Sequence, residues 1–141
     1  MMFICDISVF NKYGKQKLDE MLRPLRMDWR ELVVMLVIEQ VPGISQTRLV
    51  PFLQTDKANV TKSLQAMEGK GLIRRESDQD DMRNKVCYLT TEGEALAPKL
   101  QEILDLWEAA CFKGINKDDL LHYKRINDMI TNNLVGEWKT D

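Results

Sequence analysis

The hydrophobic period of this chain changes for one short stretch only. Up to Gly71 the chain reads as helices, although the run Leu32 to Ile38 is apolar on every side and is assigned to one by its cap and length, and after Thr91 helical spacing returns. Between these limits Leu72-Ile73-Arg74-Arg75-Glu76 and Val86-Cys87-Tyr88-Leu89-Thr90 read as two strands with a period of two. The segment joining them, Ser77 to Lys85, is polar apart from Met82 and has neither glycine nor proline. A single hairpin set among helices predicts a mostly α fold with a small β-hairpin. Hairpin loops of this length are uncommon and are often functional.

The helices are marked by their caps. A first helix is expected from Phe3 to Leu22, weakened at Gly14 and broken by Pro24. Asp28 and Glu31 form a capping box for a second, which carries the apolar run Leu32 to Ile38 and stops at Val41-Pro42-Gly43. Ser45 caps a short third helix containing Pro51, with Leu49, Phe52 and Leu53 at helical spacing. Asp56 caps a fourth, whose Val60, Leu64 and Met67 share one face before Gly69 and Gly71 end it. Thr91 with Glu94 is read as the capping box of a long helix with Leu96, Leu100, Ile103, Leu104, Trp107 and Cys111 on one stripe. Asn116 caps the last, striped by Leu120, Tyr123, Met129, Ile130 and Leu134.

The 141 residues, 44% hydrophobic and 30% charged, suit one globular domain with a real core. The longest apolar run is far too short to span a bilayer, and no basic stretch precedes the apolar residues at the N-terminus. A cytoplasmic protein with no membrane partner is therefore expected. Three cysteines, Cys5, Cys87 and Cys111, are too far apart for a disulfide framework or a zinc knuckle. They read as free thiols, with redox sensing as the alternative.

The net charge of −2 hides an uneven distribution. Ile44 to Arg75 holds six bases (Arg48, Lys57, Lys62, Lys70, Arg74, Arg75) against two acids, Asp56 and Glu68. A local basic segment responds to phosphate whatever the net charge, because the field is felt within a Debye length. On the fourth helix, steps of about 100° turn Val60, Leu64 and Met67 inward and leave Ala58, Thr61, Lys62 and Gln65 outward. Lys57 and Asn59 stand at its leading end. A small, polar, basic face suits the major groove. Arg83, near the return of the hairpin loop, suits an adjacent minor groove, and Asp81 two residues earlier is placed to hold the loop's shape.

Short helix, turn, helix and hairpin make a winged helix-turn-helix. Asp56-Lys57-Ala58-Asn59-Val60-Thr61-Lys62, with Leu64, Met67, Glu68 and Gly71-Leu72-Ile73-Arg74-Arg75, resembles the recognition helix and first wing strand of MarR-type transcriptional regulators. Asp78, Asp81, Arg83 and Lys85, followed by Leu89-Thr90-Thr91-Glu92-Gly93, are similar to that family's wing and the start of its next helix. Met82 departs from the pattern, since many members carry another arginine there.

The resemblance implies a winged helix-turn-helix lobe joined to a helical dimerisation region. The corresponding expectation is a dimerisation helix over 1–27, a DNA-binding lobe over 28–91 and dimerisation helices over 92–141. It implies a homodimeric DNA-binding regulator, a repressor acting on a pseudo-palindromic operator, with a small aromatic or anionic effector bound between the two regions. Helix 56–70 would enter the major groove and wing 77–85 would meet the minor groove. With Ser45 and Gln46 at the start of the preceding helix, the candidate DNA-binding set is Ser45, Gln46, Lys57, Ala58, Asn59, Thr61, Lys62, Gln65, Arg83 and Lys85, and Asp81 is the wing-stabilising residue.

Enzymatic chemistry has no foothold. His122 is the single histidine and reads as a surface or inter-helix residue, no phosphate-cradling glycine loop occurs, and Asp78, Asp80 and Asp81 read as wing structure. No catalytic residue, metal or cofactor is expected. Two other readings remain: a winged-helix protein–protein module without DNA binding, and a cysteine-based redox-sensing regulator.

Overall fold

A computed structural model describes residues 1–136. Two compact units are present, Met1–Trp107 and the segment from Glu108 onwards.

The first unit begins with a helix that changes pitch. α1 (Phe3–Val9) passes through one π-helical turn (Phe10–Gly14) into α2 (Lys15–Leu22). A single α-helix was the expectation here. The wide turn ends at Gly14, whose carbonyl accepts the Trp107 indole N–H at 2.9 Å, a side-chain bond of the kind that accompanies a break in helical pitch. Pro24 ends the segment in a 3-10 turn (Arg23–Leu25), closed by Arg26 in the left-handed region.

α3 (Trp29–Gln40) starts where the Asp28 carboxylate accepts the Glu31 amide at 2.9 Å. Leu32, Val34, Met35, Leu36 and Ile38 are all buried, so α3 is the central helix and its apolar run needs no polar face. Lys15 stacks over the Trp29 ring and reaches the Gln54 amide oxygen, while the Arg30 Nε donates to the Leu53 carbonyl. These contacts hold the turn after α4 (Gln46–Leu53) against the preceding helices. Gln54 itself is left-handed, with φ 52, and turns the chain into α5 (Lys57–Gly69).

The sheet has three strands rather than two. β2 (Ile73–Ser77) and β3 (Lys85–Leu89) form the hairpin, and β1 (Ile44–Ser45) pairs antiparallel with β3, giving the order β1-β3-β2. Ile44 lies opposite Cys87. A two-residue strand leaves no periodicity to read, so nothing in the sequence marked it.

α6 (Thr91–Cys111) is capped by Thr90, not Thr91. The Thr90 hydroxyl accepts the Gly93 amide at 3.0 Å and donates to the Gly71 carbonyl at 2.6 Å. The strand end reaches back to Gly71, so the residue that bridges strand and helix becomes the cap. One hydrophobic cluster joins Leu18 and Leu22 of α2 and Leu100 and Ile103 of α6 to the interior of α3, α4, α5 and the sheet.

In the second unit Gly114, at φ 83, turns the chain, and the Asn116 side chain caps α7 (Lys117–Val135) by accepting the Asp119 amide at 2.8 Å. No residue of α7 is buried. No described helix is long and apolar enough to cross a membrane.

Candidate nucleic-acid interface

The candidate recognition helix, α5, is built from its cap outward. The Asp56 carboxylate accepts the Asn59 amide at 2.8 Å, and the Asn59 side chain donates to the Thr55 hydroxyl at 3.0 Å. The first turn of α5 is thereby held rigid. Val60, Leu64 and Met67 are fully buried, so the helix has one permitted rotation. That rotation leaves Lys57, Ala58, Asn59, Lys62 and Gln65 exposed together, with Thr61 half-buried at their margin.

The wing loop is shaped by short-range hydrogen bonds. Asp78 donates its amide to the Asn84 carbonyl at 2.9 Å, and Asn84 donates its amide to the Asp81 carbonyl at 3.0 Å. The Asp81 carboxylate accepts the Arg83 amide at 3.1 Å and lies 3.7 Å from the Arg83 guanidinium. With its side chain 96% exposed, Arg83 stands clear of the protein at the loop. Met82 beside it is exposed too, and Lys85 is exposed at the start of β3.

Two candidates face differently from the rest. The Ser45 hydroxyl is taken up in capping α4, accepting the Arg48 amide at 3.3 Å. Gln46 is only 6% exposed and is the buried polar side chain of the core. Its amide oxygen accepts from Arg75 Nη1 at 2.6 Å, and its amide nitrogen donates to the Thr61 hydroxyl at 3.4 Å. Thr61 in turn donates to the Lys57 carbonyl at 3.1 Å.

Arg75 at the centre of this group escaped the sequence reading. Its signal was present: with Ile73 inward and Arg74 outward, alternation turns Arg75 inward, where a guanidinium requires a partner. Glu68, one helix end earlier, supplies it at 2.7 Å. Opposite Arg75 in the sheet is Cys87, buried, with a thiol pushed up to about 11 by burial. It stays protonated, and a protonated thiol is a poor nucleophile. Arg74, on the outer side, pairs with Glu76 and lies over the Tyr88 ring at 4.4 Å. Among the described residues no group of three His, Cys, Asp or Glu side chains is placed to hold a metal ion.

Residues 27–85 match the model of the MarR family. The transcriptional regulator HosA of Escherichia coli O157:H7 is 39% identical over 66 residues, which cover 47% of this chain and 49% of that protein. The chain thus spans about half the length of the curated relatives it matches. A crystal structure of MarR superposes with a TM-score of 0.84 at 22% identity, covering 96% of this chain and 92% of that one. A mutant MarR from E. coli complexed with operator DNA superposes with a TM-score of 0.76 at 22% identity, covering 88% and 89%. These likenesses establish a shared winged-helix fold. The segment 27–85, which holds the helix-turn-helix and the wing, thus matches the MarR family, and the chain shares the fold of MarR regulators.

Proposed function

We propose that this chain is a homodimeric, sequence-specific DNA-binding transcriptional regulator, with α5 in the major groove and the wing at the minor groove. The observation that carries the reading is the joint exposure of Lys57, Asn59, Lys62 and Gln65 on one rigid helix face, with Arg83 projecting from a shaped loop. A helix face of this kind meets base edges, and an arginine on a narrow projection meets the negative potential of an A·T-rich minor groove. The operator-bound neighbour supports double-stranded DNA as the partner. Repression, and its relief by a small aromatic or anionic effector, belong to this reading as what the family resemblance implies.

The dimer is part of the same proposal. Phe3, Ile4, Ile7 and Phe10 are exposed on the first helical segment, and Leu121, Tyr123, Ile126 and Met129 on α7. Apolar faces of this extent call for a covering partner. A second copy supplies one and places two recognition helices about 34 Å apart, one turn of DNA, as a palindrome requires.

Selection from a random duplex pool tests the reading, followed by variants on the selected site. Lys62→Ala should weaken specific binding by about 1–3 kcal/mol if the side chain reads a base. Arg83→Ala should cost more than Lys85→Ala, most of all where the flanks are A·T-rich. Affinity should fall steeply between about 50 and 200 mM salt. No enriched sequence and a flat salt dependence would instead favour the protein–protein module.

A further inference from the structure

The Gln46–Arg75–Glu68 group joins three elements that would otherwise meet only through apolar packing. Arg75 Nε and Nη2 donate to Glu68 Oε1 at 2.8 and 2.7 Å, and Arg75 Nη1 donates to Gln46 Oε1 at 2.6 Å. Through Gln46 the chain of bonds continues to Thr61 at 3.4 Å. Arg75 in β2 is therefore tied to α5 at two points, directly at Glu68 and through Gln46 at Thr61. These points are about two turns apart, roughly 10 Å along the helix axis. One tie leaves a rigid helix free to pivot, whereas two ties along its length hold its direction.

We propose that Arg75 is a positioning residue that locks the direction of α5 to the wing strand through Glu68 and Gln46, so that the two elements meet their grooves in register. This rests on the DNA-binding reading above. The pair is only partly buried, with Glu68 keeping about a third of its side chain in water, so it adds little to stability. The consequence of the pair is therefore geometric. Arg75 lies two residues before β2 ends at Ser77 and the wing loop begins. A tilt of α5 about a single tie would carry Lys57 and Lys62 away from the groove while leaving Arg83 in place. The half-buried guanidinium, with its side chain 10% exposed, does this from the flank of the lobe.

Arg75→Lys keeps the cation but loses the fork that spans both partners. Gln46→Met keeps the volume, loses the amide and leaves the Arg75–Glu68 pair in place, so it decides the matter should Arg75→Lys fold poorly. For the full chain, binding is measured on the selected duplex and on a scrambled duplex of equal length, across a range of salt. The expected result is a fall of about tenfold in the preference for the selected duplex in each single variant. The double variant should lose no more than the worse single one, because both break one clamp. The salt slope should match that of the unaltered chain. A preference unchanged in both single variants overturns the proposal, because equal losses on both duplexes mark a merely structural role. A salt slope lowered by about one also overturns it, because that marks a direct phosphate contact. An unaltered chain that prefers no sequence overturns the DNA-binding reading itself, and this proposal with it.

Discussion

Gly93→Ala is expected to destabilise the winged lobe by about 3 kcal/mol, the upper range for forcing a methyl group into a packed site. Gly93 lies in the first turn of α6, over the end of the hairpin. A Cβ placed there would come 2.1 Å from the Leu72 carbonyl oxygen, a backbone atom that cannot swing aside. That oxygen already accepts the Thr90 amide at 3.1 Å, and Thr90 in turn bridges Gly71 and Gly93. Room for the methyl would come only from prising α6 off the strand, which strains the Thr90 cap and its bond to Gly71 together. For a chain of this size the melting temperature should fall by roughly 10 °C. Gly69→Ala is the matched control. Nothing lies within 4 Å of its would-be Cβ, and it closes α5 in helical conformation, so it should leave stability unchanged or raise it by up to about 1 kcal/mol. Both should be melted at one protein concentration, because the proposed dimer would make the midpoint concentration-dependent. Equal melting temperatures for the two variants would show that the close approach at Leu72 is not rigid.

The same corner shows what was legible in the sequence. Leu-Thr-x-x-Gly at 89–93 pointed to a strand turning into a helix, and a strand does turn into a helix there. Which threonine caps that helix depended on where the strand end lies against Gly71, a tertiary fact without local periodicity. The caps at Asp28, Ser45, Asp56 and Asn116 were legible because each depends on a side chain and an amide three residues on. The buried face of α5 followed from helical spacing alone, and all three of its apolar anchors are fully buried. Side chains that bond across elements were another matter. Gln46 stands at the start of a helix, where polar residues usually face solvent, and only its distance to Arg75, 29 residues later, reveals that it faces in. The bond from Trp107 to Gly14 at the π turn likewise joins residues 93 apart. Short-range chemistry therefore gave the elements and the exposed helix face, whereas the clamp behind that face needed three-dimensional proximity.

Replacing Ile4 and Ile7 together by glutamate is expected to turn a dimer into monomers and to weaken operator binding at least about a hundredfold. No residue of α1 is buried, and Phe3, Ile4, Ile7 and Phe10 all lie exposed. α1 continues into the π turn and α2, but it buries none of its own apolar residues within the chain. A second copy, as proposed, is the partner that would hold it. Carboxylates on that face would be buried without partners in the dimer, at a cost that outweighs the association. Removing residues 1–22 outright is a poorer test, because Leu18 and Leu22 belong to the core and the Asp19 carboxylate accepts the Trp29 amide at 2.7 Å. The double substitution spares all three. At micromolar concentration the unaltered chain should sediment at twice its 16.4 kDa mass, and the variant at that mass with its fold intact. The loss on DNA follows because two linked lobes bind a palindrome with the second engagement intramolecular, an advantage of about 10² or more that a monomer forfeits. On a single half-site, where only one lobe engages, the two proteins should bind almost equally. An unaltered chain that sediments as a monomer and still binds the full operator tightly would refute both the dimer and the role given to α1.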